Sequence, residues 1–219
     1  MKKVLISVLA ITICIVLVGC TKEEEKEKEK EKYSYLVLVN KQNKLPDTWE
    51  KEVELETIKD IWGDDVQVEK EALMQFFKLK QELASEEIFI ELDSAYRSVK
   101  RQQEVWDQFE KEYGIEYTKK TVAVPKLSEH HTGLAIDVCI RKNGKLIYEN
   151  AEMVKEKKIW EKVHAKLAKY GFILRYLEGK EEITGYSYEP WHFRYVGSPE
   201  IAKEIMDKGI TLEEYLDKK

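Results

Sequence analysis

The chain has 219 residues, 43% of them hydrophobic and five of them Trp, enough for one domain with a sizeable core. Its 37 Lys and Arg against 42 Asp and Glu leave a net charge of −5. That acidic balance argues against a phosphate-backbone partner, so no nucleic acid is expected. The three cysteines, Cys14, Cys20 and Cys139, are too few for a closed, Cys-rich structural zinc site.

Met1-Lys2-Lys3 followed by an apolar run from Val4 to Val18 has the form of a secretory signal, short for a membrane span. It closes in Leu17-Val18-Gly19-Cys20, which resembles a bacterial lipoprotein processing site. The expectation is a lipoprotein-type signal peptide over 1–19, cleavage before Cys20 and lipid on the Cys20 thiol. Plain secretory cleavage or an uncleaved anchor is the simpler alternative. Either way the body is exported; with lipid it is extracytoplasmic and anchored to the membrane. Acyl chains add about 0.8 kcal/mol per buried CH₂. Residues 21–32 hold five Lys and six Glu and cannot bury apolar surface, so 20–32 reads as a charged spacer. Residues 33–219 form the remaining domain, with net charge −6 and only Cys139 as thiol, so no internal disulfide is expected.

Within the domain, 35–40 reads as a short strand and 41–65 as loop, punctuated by Pro46 and Gly63. Ala72, Leu73, Phe76, Leu79 and Leu83 have helical spacing, predicting a helix over 68–84. A strand over 88–93 leads to Ser98, the cap of a helix over 99–113 that Gly114 stops. Trp106, Phe109 and Tyr113 mark that helix's buried stripe. Residues 114–129 read as a long loop shaping a groove. A strand over 134–140 turns at Asn143-Gly144 into 145–148. Asn150 caps a helix reaching Tyr170, with Gly171 beyond it. Strands over 172–176 and 191–196 flank a polar loop. Ser198-Pro199 opens a helix, and Thr211 with Glu214 forms a capping box for the last one. Strands and helices mix without a βαβ rhythm. The class is therefore α+β: a single domain with a small, mostly antiparallel sheet packed by helices.

The chemistry concentrates in Ser128-Glu129-His130-His131-Thr132-Gly133-Leu134-Ala135-Ile136-Asp137. Alternation in the strand puts Asp137 on the face of small Ala135, leaving room for an ion, with His130 on the turn before it. Glu189-Pro190-Trp191-His192 is the complement, and Pro190 makes the backbone irregular enough for Glu189 and His192 to approach one ion. Two His, one Asp and an open fourth position describe a catalytic zinc site on the sheet, with Glu189 as proton acceptor. His131 and His164 read as non-ligands, His164 as an ordinary helix residue. Arg97, in Tyr96-Arg97-Ser98, sits at a strand-to-helix junction where a guanidinium can grip a carboxylate or stabilise an oxyanion.

Together Tyr96-Arg97-Ser98 with Gln102, Ser128 through Asp137, and Glu189 through His192 resemble the zinc D-alanyl-D-alanine carboxypeptidases of the VanY kind and the related L,D-carboxypeptidases. The resemblance runs from about Tyr33 to the C-terminus and includes Tyr170 to Tyr176. Ala95 departs from it, where relatives often carry Gly. It implies zinc held by His130, Asp137 and His192, Glu189 as general base, and Arg97 on the transition state or the substrate. It further implies that Ser128, Tyr96, Gln102 and Trp191 line the substrate groove. The expected enzyme removes the terminal D-Ala from peptidoglycan stem peptides and acts as a monomer. The alternatives are an L,D-carboxypeptidase acting on the tetrapeptide stem, or a wall-binding lipoprotein that keeps the scaffold without catalysis. Intact Glu189 and Arg97 argue against the last, because a binding module has no need of a general base.

Overall fold

The structure is a computed structural model and describes residues 33–218; the expected signal peptide, Cys20 and the charged spacer lie outside them. In chain order the elements are α1 (Trp49–Glu52), β1 (Leu55–Lys59), β2 (Asp65–Glu69), α2 (Lys70–Ser85), β3 (Phe89–Ser94), α3 (Val99–Tyr113) and α4 (Ile115–Thr121). A 3-10 turn (Glu129–Thr132) leads into β4 (Ala135–Lys142), followed by β5 (Lys145–Ile147), α5 (Asn150–Met153) and α6 (Lys157–Leu167). A second 3-10 turn (Ala168–Tyr170) precedes β6 (Phe172–Leu174), α7 (Glu181–Thr184), β7 (His192–Tyr195), α8 (Pro199–Lys208) and α9 (Leu212–Leu216).

The main sheet is antiparallel, in the order β3-β4-β7-β6, with β5 also on β4. One edge of β4 is shared: Ala135–Asp137 face β7, and Ile140–Lys142 face β5. Alternation decides which face each residue takes. Ile136, Val138 and Ile140 of β4 join Ile90, Leu92, Phe193 and Tyr195 in a core closed by Phe76, Leu79 and Leu83 of α2 and by Trp160 and Val163 of α6. On β6, Phe172 and Leu174 face that core, while Ile173 faces a second cluster with Ala202, Ile205, Leu212 and Tyr215 of α8 and α9. Asp137 and His192 are cross-strand partners, so the ladder sets the first two polar groups of the site side by side.

Local signals hold at several ends. Ser98 Oγ accepts from Arg101 N, Ser198 Oγ from Ile201 N, and Thr211 with Glu214 forms the expected capping box. Asn143 and Gly144, both at positive φ, make the β4–β5 hairpin. Several expectations change, among them the polar loop before β7, which contains α7. Residues 35–40 are not a strand, because the Tyr35 and Val37 carbonyls are taken by the Arg194 guanidinium rather than by a ladder. The expected loop over 41–65 contains α1 and most of the β1–β2 hairpin. The long loop after Gly114 contains α4. The helix expected from Asn150 to Tyr170 breaks between Met153 and Lys157; the Met153 carbonyl there accepts from Glu156 N at 3.0 Å and from Trp160 Nε1 at 2.7 Å. Trp106, Phe109 and Tyr113 are not a buried stripe. Trp106 and Phe109 are half-buried and Tyr113 is exposed; Phe109, Tyr113 and Tyr117 pack ring on ring along a groove.

The turn carrying His130 is tied to the rest of the fold at its C-terminal end. Thr132 O accepts from Trp49 Nε1 at 3.0 Å, and Gly133 O accepts from Glu69 N at 2.9 Å. Gly133 has φ 72°, and a Cβ there would lie 2.6 Å from Leu55 Cδ2 and 3.3 Å from Glu69 N. Gly133→Ala should therefore lower stability by about 2–5 kcal/mol, the left-handed backbone costing ~1–2 and the overpacking ~1–3. Urea unfolding of the purified domain measures this.

Candidate active site

His130 reaches the site from the 3-10 turn, Asp137 from β4 and His192 from the first residue of β7; each is at most half exposed, and their donor atoms lie within 4.8 Å of one another. His130 Nε2 is 3.1 Å from Asp137 Oδ2, and His192 Nδ1 is 2.9 Å from Asp137 Oδ1. That second approach is off the hydrogen-bond direction, so Asp137 Oδ1 is buried without a hydrogen-bond partner. A buried oxygen without a donor is costly unless a cation meets it. The ring nitrogens turned away from the cluster are both committed. His130 Nδ1 faces the Ala95 carbonyl at 2.7 Å, and His192 Nε2 faces Glu129 Oε2 at 3.1 Å. An acceptor behind each ring puts the hydrogen there and turns the lone pair of the other nitrogen toward the cluster. Two imidazoles and one carboxylate with a position left open fit catalytic zinc.

Behind the ligands lies a buried charge network. Glu129 Oε1 accepts from Arg175 Nε and Arg194 Nη1, each at 2.7 Å. Arg175 also grips Glu213 of α9 with both terminal nitrogens, at 2.9 and 2.7 Å, and Asn40 donates to the same carboxylate at 3.0 Å. Burial alone would raise the Glu129 carboxyl, but Arg175, Arg194 and His192 outweigh it and hold it well below the usual range. Asp137 behaves alike: burial opposes ionisation, and His130 and His192 overcome it. Burial would lower His192, yet the Asp137 and Glu129 carboxylates push it up to about 10, the same negative field that favours a cation between the donors.

Glu189 departs from the other two carboxylates. Its Oε2 is 3.8 Å from His192 Nδ1, and burial raises its pKa to about 7; His192 counters that rise while Asp137 and Glu129 add to it. It lies in a cavity of about 960 Å³ that takes in the three ligand residues, Tyr96, Arg97, Ser128 and Trp191. Arg97 is held by neutral groups, Gln102 Oε1 at 3.1 Å and Ser94 Oγ at 3.5 Å, and makes no ion pair among the described residues. Its backbone is pinned by both neighbouring histidines: Arg97 N donates to His130 O, and Arg97 O accepts from His131 Nδ1. Burial lowers the Arg97 pKa, while the Asp137 charge works the other way.

The structure thus brings together His130, Asp137, His192, Glu189, Arg97, Tyr96, Ser128 and Trp191. It does not place Gln102 in the groove. That side chain is fully buried, accepting from Arg97 and donating to Ala123 O at 2.7 Å, so it holds Arg97 rather than substrate. His131 is no ligand: its Nε2 accepts from Lys126 N. His164 is no ligand either, but its Nε2 bonds Pro190 O. Glu129, Arg175 and Arg194 were missed. Glu129 adjoins a ligand in sequence, but nothing local shows that it is buried.

A peptide-sized cavity with this donor set and a desolvated carboxylate beside it puts the chain among the metallopeptidases. More narrowly, it belongs to the VanY D-alanyl-D-alanine carboxypeptidase family, whose model matches residues 65–198. It is 41% identical over 157 residues to a bifunctional D-Ala-D-Ala dipeptidase and D-Ala-D-Ala carboxypeptidase of Enterococcus gallinarum, covering 70% of this chain and 79% of that one. Among solved structures it resembles the vancomycin resistance D,D-pentapeptidase VanY in complex with Zn(II), with TM-score 0.69 and 32% identity over 83% of this chain and 98% of that one. It also resembles the LdcB LD-carboxypeptidase, with TM-score 0.73 and 36% identity over 84% and 86% of the two chains. The cofactor is zinc, as in the first of these structures.

Glu129→Gln keeps the shape but removes the charge shared by His192, Arg175 and Arg194. Zinc affinity should fall by about 10–100-fold. The metal-free protein should lose about 3–5 kcal/mol, because the buried Arg194 guanidinium loses its counter-charge and Arg175 keeps only Glu213. Chelator competition and denaturant unfolding measure the two effects separately.

Proposed function

We propose that the chain is a D-alanyl-D-alanine carboxypeptidase that removes the terminal D-Ala from peptidoglycan stem peptides, using His130, Asp137 and His192 as zinc ligands. The observation that carries this is Glu189: a desolvated carboxylate 3.8 Å from His192 Nδ1, beside the three converging donors and inside the same cavity. When bound, zinc supplies Lewis-acid polarisation of the scissile carbonyl and lowers the pKa of a water to about 7. Glu189 takes a proton from the attacking water. As the C–N bond breaks, it hands that proton to the leaving D-Ala amine. Arg97, held by neutral partners, keeps its charge for the substrate's terminal carboxylate or for the developing oxyanion. Tyr96, Ser128 and Trp191 shape the groove. The likeness to the LD-carboxypeptidase favours a second reading, in which the same machinery cuts the tetrapeptide stem. Pentapeptide and tetrapeptide stems, scored by released D-Ala, separate the two.

Residues 1–19 serve as the signal peptide in this reading, Cys20 carries lipid, and 20–32 hold the domain off the outer face of the membrane, where it works as a monomer on the wall. The support is the charged start, the apolar run and the Gly19-Cys20 junction. Cys20→Ala should move the protein from the membrane fraction to the soluble exported fraction with unchanged turnover on soluble peptides. Retention in the cytoplasm with Met1 in place would remove the reading.

Glu189→Gln cannot accept the proton but keeps the side chain's size. Zinc content should stay near one per chain, turnover should fall by ~10²–10⁴, and the acidic limb of the pH–rate profile should vanish. Wild-type turnover in that variant would rule out Glu189 as the base. Loss of zinc would make it a ligand instead.

A further inference from the structure

Glu189 and His192 are joined by a tight turn. His192 N donates back to Glu189 O at 3.2 Å, so Pro190 and Trp191 are its two central residues. In such a turn the peptide linking the central residues is the part that can flip, and its orientation separates the two common turn types. The carbonyl of that peptide is Pro190 O. It points out of the turn toward α6, where His164 Nε2 meets it at 2.8 Å. A carbonyl only accepts, so His164 carries its hydrogen on Nε2. The ring is set by stacking on Trp160, with centroids 5.8 Å apart and planes at 21°, and by an edge contact with Phe193 at 6.2 Å. Burial pushes His164 down to about 4, so the ring is neutral near pH 7. The rest of the turn is fixed elsewhere: Glu189 N donates to Tyr176 O, and Trp191 O accepts from Val138 N. Among the described residues, His164 alone holds the central peptide.

We propose that His164 is a positioning residue for hydrolysis: its Nε2–H locks the Pro190–Trp191 peptide, and so fixes Glu189 and Trp191 against the His192 ligand. This rests on the roles assigned to Glu189 and His192. Trp191 has a negative φ; flipping the peptide would push that residue toward positive φ, re-aim its indole in the groove and move the Glu189 carboxylate. A displaced base loses rate steeply, because proton transfer needs hydrogen-bond reach.

The test compares three replacements in the full-length, zinc-loaded protein. His164→Phe keeps a ring on Trp160 but has no donor. His164→Gln carries an amide N–H at about the reach of Nε2, and His164→Asn carries one too short to reach. With a stem pentapeptide, Phe and Asn should lower kcat by about 10-fold or more with KM within about twofold, and Gln should restore most of it. The second readout is independent of turnover. Zinc Kd by chelator competition should weaken several-fold in Phe and Asn and return in Gln, with a matching shift and return of the visible bands of the cobalt-substituted proteins. If Phe fails to fold, the Gln–Asn pair carries the test. Parental kcat and zinc Kd in the donor-free variants would overturn the proposal, as would equal losses in Gln and Asn. Inactivity of the parent on every stem peptide would strike the proposed function instead, while the zinc Kd series would still read the role of His164.

Discussion

One buried carboxylate, Glu129, carries most of the order behind the site. It receives His192 on one oxygen and two arginines on the other, and neither it nor the arginines touch solvent. A buried carboxylate is unstable alone, and so are two buried guanidiniums; each is tolerable only because the others are present. The arginines reach onward, Arg194 to the carbonyls of Tyr35 and Val37, Arg175 to Glu213 on the last helix. Segments from both ends of the domain are thereby fixed to the carboxylate that orients a metal ligand.

Within that frame the sheet and one turn divide the work. Asp137 and His192 face each other across the β4–β7 ladder, so backbone hydrogen bonding sets their spacing. His130 comes from a short turn, held by its Ala95 bond and by the anchors of Thr132 and Gly133. The β3–β4 pairing shifts register between Leu92 and Ser94, beside Asp137, where the chain leaves the sheet toward Arg97. A register irregularity at such a place redirects the strand without breaking the core.

The alternation of Leu134, Ile136, Val138 and Ile140 is strong, and β4 falls where it predicts; the caps at Ser98, Ser198 and Thr211 are equally local signals. The ligand cluster was legible for the same reason, since turn, strand and Pro-broken turn are each written in adjacent residues. The β1–β2 hairpin was not. Half of its strand residues are exposed and four are charged, and only Ile58, Val66 and Val68 pack on the core, too few to mark a strand pattern. Phe109 and Tyr113 have the spacing of a core stripe, but spacing names a face and not what the face meets; here it meets a groove. Glu129 and His164 were illegible because their partners, Arg175, Arg194 and Pro190, are far off in sequence.

The separation of those partners along the chain also makes the metal site a product of long-range folding. His130 and Asp137 lie far before His192 in the chain, and Glu213, which steadies Arg175, lies beyond all three. Before those segments pack, a metal meets separate donors and no oriented set. Donors that only the fold brings together bind zinc as a set, so metal affinity and folding stability are coupled in this domain.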